Sequence, residues 1–177
     1  MTPLLFSPLT VKSMELRNRV AVSPMAQYSA VDGVVNDWHL GHLQKFAVSG
    51  AGLICLEATK VEGRGMGTLG DTGLWNDAQE AAMAQLVTRL KPFGAKLAVQ
   101  INHAGRKAGT LKPWEGWGPL DRSQPLVDGG AIGAVLAVDP GRQGGGLLVV
   151  DGEGAIRHEA GQRAGPVDRQ LHRRRTG

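Results

Sequence analysis

Residues 20–30, VAVSPMAQYSA, decide the fold, because a short apolar run ends inside this segment at a Ser-Pro step. Pro24 has no backbone N–H to donate to a sheet, and it favours extended backbone at Ser23. A strand therefore ends here and is followed at once by a thioether, an amide and a phenol. The phenol belongs to Tyr28, the single tyrosine of the chain. Its position just past a buried strand raises the question of what it contacts.

Three short apolar runs recur in the first half of the chain. The first covers residues 19–22 and ends at SPMAQY, the second covers residues 53–56 and ends at EAT, and the third covers residues 96–101 and ends at NHAG. Such continuous apolar runs are typical of parallel strands that are buried on both faces. We therefore predict three strands, each followed by polar or small residues.

Helical patterns separate these runs. The first pattern begins at about Asp37, as its N-cap, and continues to about residue 47 with apolar residues three and four apart. The second covers residues 78–91, with Asn76 or Asp77 as the cap. Strands that alternate with amphipathic helices predict an α/β fold with a parallel sheet and helical crossovers.

A doubly wound sheet and a (β/α)8 barrel both fit this pattern. The glycine-rich segment at residues 63–70, GRGMGTLG, lies several residues past a strand and lacks the Lys-Ser/Thr pair of a phosphate loop. We therefore predict a mobile surface loop there. Two brief alternating segments, Leu4–Phe6 and Leu9–Val11, flank Pro8 before the first strand. They predict a small hairpin that closes the bottom of a barrel.

The composition limits the class of protein. A chain of 177 residues with 42% hydrophobic residues is long enough for one domain with a core. Residues 1–11 do not resemble a signal peptide, and no run is long enough to span a membrane. The single cysteine, Cys55, lies in an apolar run and predicts a reduced core thiol. We expect a cytoplasmic protein that does not bind a membrane.

The composition changes near residues 127–132. No lysine follows Lys112 and no aromatic residue follows Trp117, while glycine and arginine become frequent. We expect residues 1–131 to form a partial barrel and residues 132–177 to be a disordered Gly/Arg-rich tail.

Three explanations of the tail are open: a natural extension, a basic arm for RNA or DNA, or out-of-frame translation of a GC-rich gene. We favour the frame shift, because the break interrupts a pattern that should continue. The net charge is +4, and residues 173–175 are three arginines without interleaved aromatic residues. This pattern does not favour a nucleic-acid partner. Residues 147–150 are the one plausible strand of the tail.

Three stretches before the break carry a specific resemblance: LFSPLTVKSMELRNRVAVSPMAQYSA, HLGHLQKFAVSGAGLICLEAT and AVQINHAGRKA. They are similar to the N-terminal third of the old yellow enzyme family, and in particular to its bacterial branch of NADPH dehydrogenases and ene-reductases. The resemblance implies the N-terminal portion of a (β/α)8 TIM barrel, with about three βα units and a preceding hairpin. In such barrels the active site lies at the C-terminal ends of the strands, where SPMAQY, EAT and QINHAG would meet.

The resemblance also implies FMN as the bound cofactor and NADPH as the reductant. The implied cofactor-binding residues are Ser23, Pro24, Met25, Ala26, Ala58 and Gln100. The turn that begins at Ser23 would line the flavin ring, and the Gln100 amide would hydrogen-bond the pyrimidine edge. Tyr28 is the implied catalytic residue, because its phenol would donate a hydrogen bond to the carbonyl oxygen of an enone-type substrate. Full-length relatives are expected to be homo-oligomers.

Ala26 departs from the pattern of this branch. Many relatives have a cysteine at this position, where the thiol tunes the flavin. Because Ala26 has no side-chain hydrogen-bonding group, the resemblance implies a different redox potential.

Several charged or ligand-type side chains have simpler explanations. His39 and His42 lie three residues apart on a predicted helix without a third ligand, so we expect helix packing or exposure and no metal site. His103, Arg106 and Lys107 follow the third strand, and we expect them mainly to brace that loop.

The expected function is that of an FMN-dependent oxidoreductase, in which NADPH reduces the flavin and the flavin passes hydride to an activated alkene. The break precedes the family's substrate-anchoring residues and its phosphate-binding loops. We therefore expect the chain as written to be a truncated, inactive form. The alternative is a non-catalytic fragment or pseudogene product with a basic tail.

Overall fold

The structure, a computed structural model, describes residues 3–121 together with the backbone of two short strands, Gly146–Val150 and Ile156–His158. The predicted domain boundary near residue 131 and the terminal arginine cluster lie outside the described residues. No helix in the described part is long and apolar enough to cross a membrane.

Three parallel strands form the central part of the sheet, as predicted. They are β3 (Ala21–Val22), β4 (Leu53–Lys60) and β5 (Lys96–Asn102), with Ala21 opposite Leu53 and Leu53 opposite Lys96. β4 is longer than predicted, because it continues through the EAT segment. This register brings the C-terminal ends of all three strands to one edge of the sheet.

The first crossover helix, α1 (Asp37–Val48), begins one residue earlier than predicted. Asn36, and not Asp37, is the N-cap, and its side-chain oxygen accepts the Trp38 N–H at 3.0 Å. His39 completes a capping box, because its side chain accepts the Asn36 backbone N–H. Asp37 instead lies in the first turn, where a carboxylate favours the positive end of the helix dipole.

The second crossover helix is α2 (Asp77–Leu90), and Asn76 caps it by accepting the Gln79 N–H at 3.0 Å. Both helices pack against the same face of the sheet. Alternate residues of the strands share a core with apolar residues of the two helices, among them Leu40, Leu43, Ile54, Leu56, Met83, Leu86, Leu90, Leu97 and Val99. The parallel strands and their crossovers thus form one layered unit.

The N-terminal hairpin differs from the prediction in its pairing. β1 (Leu9–Val11) pairs antiparallel with β2 (Met14–Leu16), whereas Leu4–Phe6 forms a 3-10 turn. Lys12 takes a left-handed φ of 51° and makes the tight reversal between the two strands. The alternation around Pro8 therefore predicted β1 correctly, but the second strand of the hairpin is β2 and not Leu4–Phe6.

Arg17 fixes this hairpin beneath the sheet. Its guanidinium donates to the carbonyl oxygen of Ala51 at 2.9 Å and to that of Phe93 at 2.8 Å. These carbonyls lie just before β4 and β5, so the hairpin covers the N-terminal ends of the strands. This agrees with the predicted position at the bottom of a barrel.

The glycine-rich segment is not a surface loop, so that prediction is wrong. Gly63, Gly65, Met66 and Thr68 are buried. Asp71 holds the segment by accepting the Gly67 N–H at 2.7 Å and the Thr68 hydroxyl at 2.8 Å. The small residues let the backbone pack closely against the ends of the strands.

Two strands of the tail extend the sheet. β6 (Gly146–Val150) pairs antiparallel with β5, and β7 (Ile156–His158) pairs antiparallel with β6. β6 includes the strand that was expected at residues 147–150, whereas β7 was not expected. The order β3-β4-β5-β6-β7 is an open sheet and not a closed barrel. The rest of the tail lies outside the described residues, so its disorder stays a prediction.

Candidate functional site

The turn after β3, residues 23–28, presents its side chains at the sheet edge where the parallel strands end. Ser23, Met25 and Ala26 are exposed, and Pro24 is half-buried. The turn is tied to β4, because the Gln27 backbone N–H donates to Glu57 Oε2 at 3.0 Å. The residues implied to line a flavin ring are therefore accessible and held by a buried group.

Ala58 and Gln100 lie directly opposite each other in the register of β4 and β5. Both are half-buried. No residue between 3 and 121 hydrogen-bonds the Gln100 amide, which carries a donor and an acceptor at the strand end. The structure thus places all six implied cofactor-binding residues at the C-terminal ends of three adjacent strands.

Glu57 is a buried acid at this strand end, and its role was not predicted from the sequence. The register between β4 and β5 shifts between Leu56 and Ala58, so Glu57 is the extra residue of a β-bulge. Burial raises the pKa of Glu57 to about 7, although the hydrogen bond from Gln27 opposes this effect. The signal in the sequence was an acidic residue at the end of an apolar run.

His39 reaches Glu57 from α1. It is 2% exposed, and its Nε2 lies 3.9 Å from Glu57 Oε2 without a hydrogen-bond partner among the described residues. Burial lowers the pKa of His39 to about 4, and the charge of His42 adds to this effect. The packing role expected for His39 agrees with its burial. His42 is half-buried, and its ring meets Phe46 edge to face.

The tautomer of His39 follows from the helix cap. Nδ1 accepts the Asn36 N–H at 3.1 Å and also lies 3.0 Å from Asn36 Oδ1. That oxygen already accepts the Trp38 N–H, whereas the Asn36 N–H has no other described acceptor. Neutral His39 therefore carries its proton on Nε2, which faces Glu57.

Tyr28 lies at the end of the turn with a left-handed φ of 52°. Its ring meets Trp114 edge to face at 6.1 Å and Trp117 at 5.7 Å between centroids. Burial raises the pKa of the phenol, and the charges of Asp71 and Glu57 add to this effect. The two tryptophans were not identified from the sequence, although two of them within WEGW offered a signal.

A buried ion pair lies beside the turn. Lys60 Nζ lies 3.3 Å from Asp71 Oδ2 and donates to Asn102 Oδ1. It joins the ends of β4 and β5 to the glycine-rich segment. No group of three His, Cys, Asp or Glu side chains within the described residues could hold a metal ion.

His103 braces the loop after β5, as expected. Its Nε2 lies 2.8 Å from Glu62 Oε1, and its Nδ1 accepts the Gly105 N–H at 2.9 Å. Burial alone would raise the pKa of Glu62, but the hydrogen bonds from His103 and Arg64 lower it overall. The neighbouring Arg106 and Lys107 are exposed.

Comparison with known sequences identifies the family. Residues 4–124 match the NADH:flavin oxidoreductase / NADH oxidase family. The chain belongs to this family. An NADPH dehydrogenase from Listeria welshimeri is 45% identical over 106 residues, which are 59% of this chain and 31% of that protein. An NADH:flavin oxidoreductase from Gibberella zeae is 40% identical over 109 residues, which are 62% of this chain and 26% of that protein.

Solved structures of this family agree with the fold. The old yellow enzyme from Trypanosoma cruzi is similar with a TM-score of 0.55 and 29% identity, over 60% of this chain and 29% of that one. The described part is therefore the N-terminal portion of a TIM barrel, as predicted. The chain spans less than a third of the length of these three proteins.

Proposed function

We propose that this chain supplies the first wall of the flavin site of an FMN-dependent ene-reductase of old yellow enzyme type. Electrons would come from NADPH, and the substrate would be a small enone. One observation carries the proposal: the 23–28 turn, Ala58 and Gln100 meet at the C-terminal edge of three parallel strands. In barrels of this kind, that edge holds the active site.

The residues at this edge fit a flat, heteroaromatic cofactor. Pro24 is rigid, and Ala26 and Ala58 are small, so a planar ring can approach them closely. The Gln100 amide makes no hydrogen bond with the residues that the structure describes, and its donor and acceptor match a ring edge that alternates donors and acceptors. Bound FMN would supply the hydride chemistry, and the protein would supply orientation and hydrogen bonds.

Tyr28 fits the role of a hydrogen-bond donor to a substrate carbonyl. Its raised pKa keeps the phenol protonated at neutral pH. Trp114 and Trp117 meet its ring edge to face and limit its rotation. A donor that is fixed in advance stabilises the negative charge that develops on a carbonyl oxygen during hydride transfer.

We further infer that the chain does not turn over by itself. The described residues contain three parallel strands, whereas a closed barrel has eight. One wall cannot enclose a cofactor and a substrate.

The second candidate function is that of a non-catalytic fragment, and one observation favours it. β6 already pairs with the edge of β5, where the next parallel strand of a barrel would be added.

Flavin binding by the purified 177-residue chain tests the proposal. We expect riboflavin and FMN to bind with similar, weak affinity, measured by quenching of flavin fluorescence. Gln100→Ala should weaken binding about fivefold, because a net hydrogen bond is worth about 1 kcal/mol. Gln85→Ala is the control, since Gln85 is exposed on α2.

The outcomes separate the two candidates. Flavin binding that Gln100→Ala weakens and Gln85→Ala does not would support the flavin site. Equal binding by both variants, or none by the wild-type chain, would favour the non-catalytic fragment. NADPH oxidation with cyclohexenone at a steady rate would contradict our inference that the chain does not turn over alone.

A further inference from the structure

A buried acid and a buried imidazole meet directly behind the 23–28 turn. Glu57 is 7% exposed and His39 is 2% exposed. The same carboxylate oxygen lies near two groups. Glu57 Oε2 accepts the Gln27 N–H at 3.0 Å and lies 3.9 Å from His39 Nε2. The backbone of the turn, the strand β4 and the helix α1 are therefore linked through a single carboxylate.

The chain builds this contact with two specific devices. The β-bulge at Glu57 changes the direction of its side chain relative to a regular strand, as bulges next to functional sites commonly do. The capping box at the start of α1 fixes His39 Nδ1 as an acceptor and leaves Nε2–H aimed at Glu57.

The pair also reaches the flavin-lining part of the turn. A cavity of about 10 Å³ is lined by Met25, His39 and Glu57. This volume is close to the minimum for one water, so the N–H and the carboxylate can close their gap or share a water. A change at Glu57 therefore acts directly on the Gln27 backbone N–H, and the Met25 side chain lines the same cavity.

We propose that Glu57 and His39 are positioning residues that hold the 23–28 turn in the geometry that the flavin requires. The inference rests on the proposed function for its ligand, but the contact itself does not. The ionised carboxylate accepts the Gln27 N–H more strongly than the protonated acid does, and it attracts the His39 Nε2–H that lies 3.9 Å away. The turn is therefore held more tightly when Glu57 is ionised.

The other charges around Glu57 do not neutralise it. Asp71 of the glycine-rich segment raises the pKa of Glu57, whereas Lys60, which pairs with Asp71 and follows on the same strand, lowers it. Tyr28 approaches from the turn as a neutral phenol, and His39 approaches from α1 as a neutral imidazole. The state of Glu57 therefore changes with pH near neutrality, where its pKa of about 7 lies.

Titration of the wild-type chain by NMR, without flavin, tests the pair. We expect the Glu57 carboxyl carbon and the Gln27 amide to shift together with one midpoint near pH 7. The Met25 amide should follow the same curve. A Glu57 carboxyl that titrates while the Gln27 amide stays unmoved would overturn the proposal, as would a midpoint near the ordinary value of 4.5.

Three variants sharpen the test. Glu57→Gln should abolish the titration of the Gln27 amide. His39→Gln keeps a capping-box residue at that position but removes the imidazole, so the midpoint should move upward. Glu62→Gln is the matched control, because it removes a more exposed carboxyl that bonds to a histidine away from the turn. The Gln27 titration should be unchanged in that variant.

Riboflavin affinity measured across the same pH range separates this inference from the proposed function. Affinity that rises through the Glu57 midpoint in the wild-type chain, and stays flat in Glu57→Gln, supports the positioning role. Affinity without pH dependence would overturn that role even if the amide titrates. A chain that binds no flavin would count against the proposed function, and the titration would still decide whether the pair holds the turn.

Discussion

Gly70 and Tyr28, the last residue of the 23–28 turn, lie in close backbone contact. A Cβ built at Gly70 would lie 2.1 Å from the Tyr28 carbonyl oxygen, a distance that no side chain tolerates. Gly70 also accepts the Ala30 N–H at 3.0 Å. This glycine therefore sets how closely the turn approaches the glycine-rich segment, and with it the position of the Tyr28 phenol.

We expect Gly70→Ala to lower the midpoint of thermal unfolding and to displace the Tyr28 ring from Trp117. The backbone has to move to relieve the contact, which typically costs about 1–3 kcal/mol for an overpacked site. Gly41→Ala is the control, because nothing lies within 4 Å of a Cβ at this exposed position of α1. It should stabilise the chain by about 0.5–1 kcal/mol.

Thermal unfolding, together with the ring-current shifts of Tyr28 in NMR spectra, measures both effects. A Gly70→Ala chain that is as stable as the wild type, with unchanged Tyr28 shifts, would contradict this prediction. It would show that the close contact between Gly70 and Tyr28 does not limit the position of the turn. Destabilisation by Gly41→Ala would contradict the open space around Gly41 on α1 and would remove its value as a control.

At the scale of elements, the glycine-rich segment depends on one buried ion pair. Asp71 accepts two hydrogen bonds from the segment itself and lies 3.3 Å from Lys60 on β4. Because both side chains are buried, removal of one charge leaves the other without compensation. The segment and the C-terminal end of β4 are therefore expected to lose order together.

Asp71→Asn should lower the free energy of unfolding by about 3 kcal/mol, the lower end of the range for breaking a buried pair. Adding Lys60→Met to Asp71→Asn should restore part of this loss, because no buried charge remains. Asp37→Asn, at an exposed pair with Arg89, should change stability little. Urea unfolding measures all three, and a double variant less stable than Asp71→Asn would contradict the ion-pair explanation.

The elements themselves could largely be predicted from the sequence, because apolar periodicity and Asn or Asp caps are local signals. Both helices and all three parallel strands were located within a few residues. The errors arose where non-local contacts decide the outcome. The glycine-rich segment was assigned to the surface because its burial depends on Asp71 and Lys60, and Leu4–Phe6 was paired wrongly because Pro8 separates it from the hairpin.

In the candidate site, too, local signals could be predicted from the sequence and non-local contacts could not. Ser23, Pro24, Met25 and Ala26 could be placed at a strand end by the Ser-Pro step and the family resemblance. The link between Glu57 and His39 could not be predicted, because it depends on a one-residue bulge in β4 and on the orientation of the start of α1. The contacts of Tyr28 with the two tryptophans likewise depend on the path of a loop.

At the scale of the whole molecule, Glu57 and His39 affect the stability of the fold in opposite directions. Folding raises the pKa of Glu57 from 4.5 to about 7, so its contribution is complete below pH 4.5 and lost by about pH 7. Folding lowers the pKa of His39 from 6.5 to about 4, so its contribution is complete above pH 6.5 and lost by about pH 4.

Between pH 4.5 and 6.5 the two effects should cancel, because the pair holds one proton in either state: on Glu57 when folded and on His39 when unfolded. In Glu57→Gln only the effect of His39 remains. The free energy of unfolding should then fall by about 1.4 kcal/mol for each pH unit towards acid, relative to the wild type. In His39→Gln only the effect of Glu57 remains, so the free energy of unfolding should rise towards acid with a slope of opposite sign.

Urea unfolding at a series of pH values measures these slopes. Two variants that both keep the flat profile of the wild type would show that neither group changes its pKa on folding. Slopes of the same sign in both variants would contradict the assignment of the proton to Glu57 in the folded chain.

The pairing of β6 with β5 also bears on self-association. A row of unpaired backbone groups on a long apolar strand recruits other chains and seeds fibrils. In the described sheet, the seven-residue strand β5 has a partner on each side. The two outermost strands are β3 with two residues and β7 with three. Short edge strands are one of the means by which natural sheets avoid growth from edge to edge. The pairing with β6 therefore covers the edge of β5, which without it would be a long unpaired strand open to another chain.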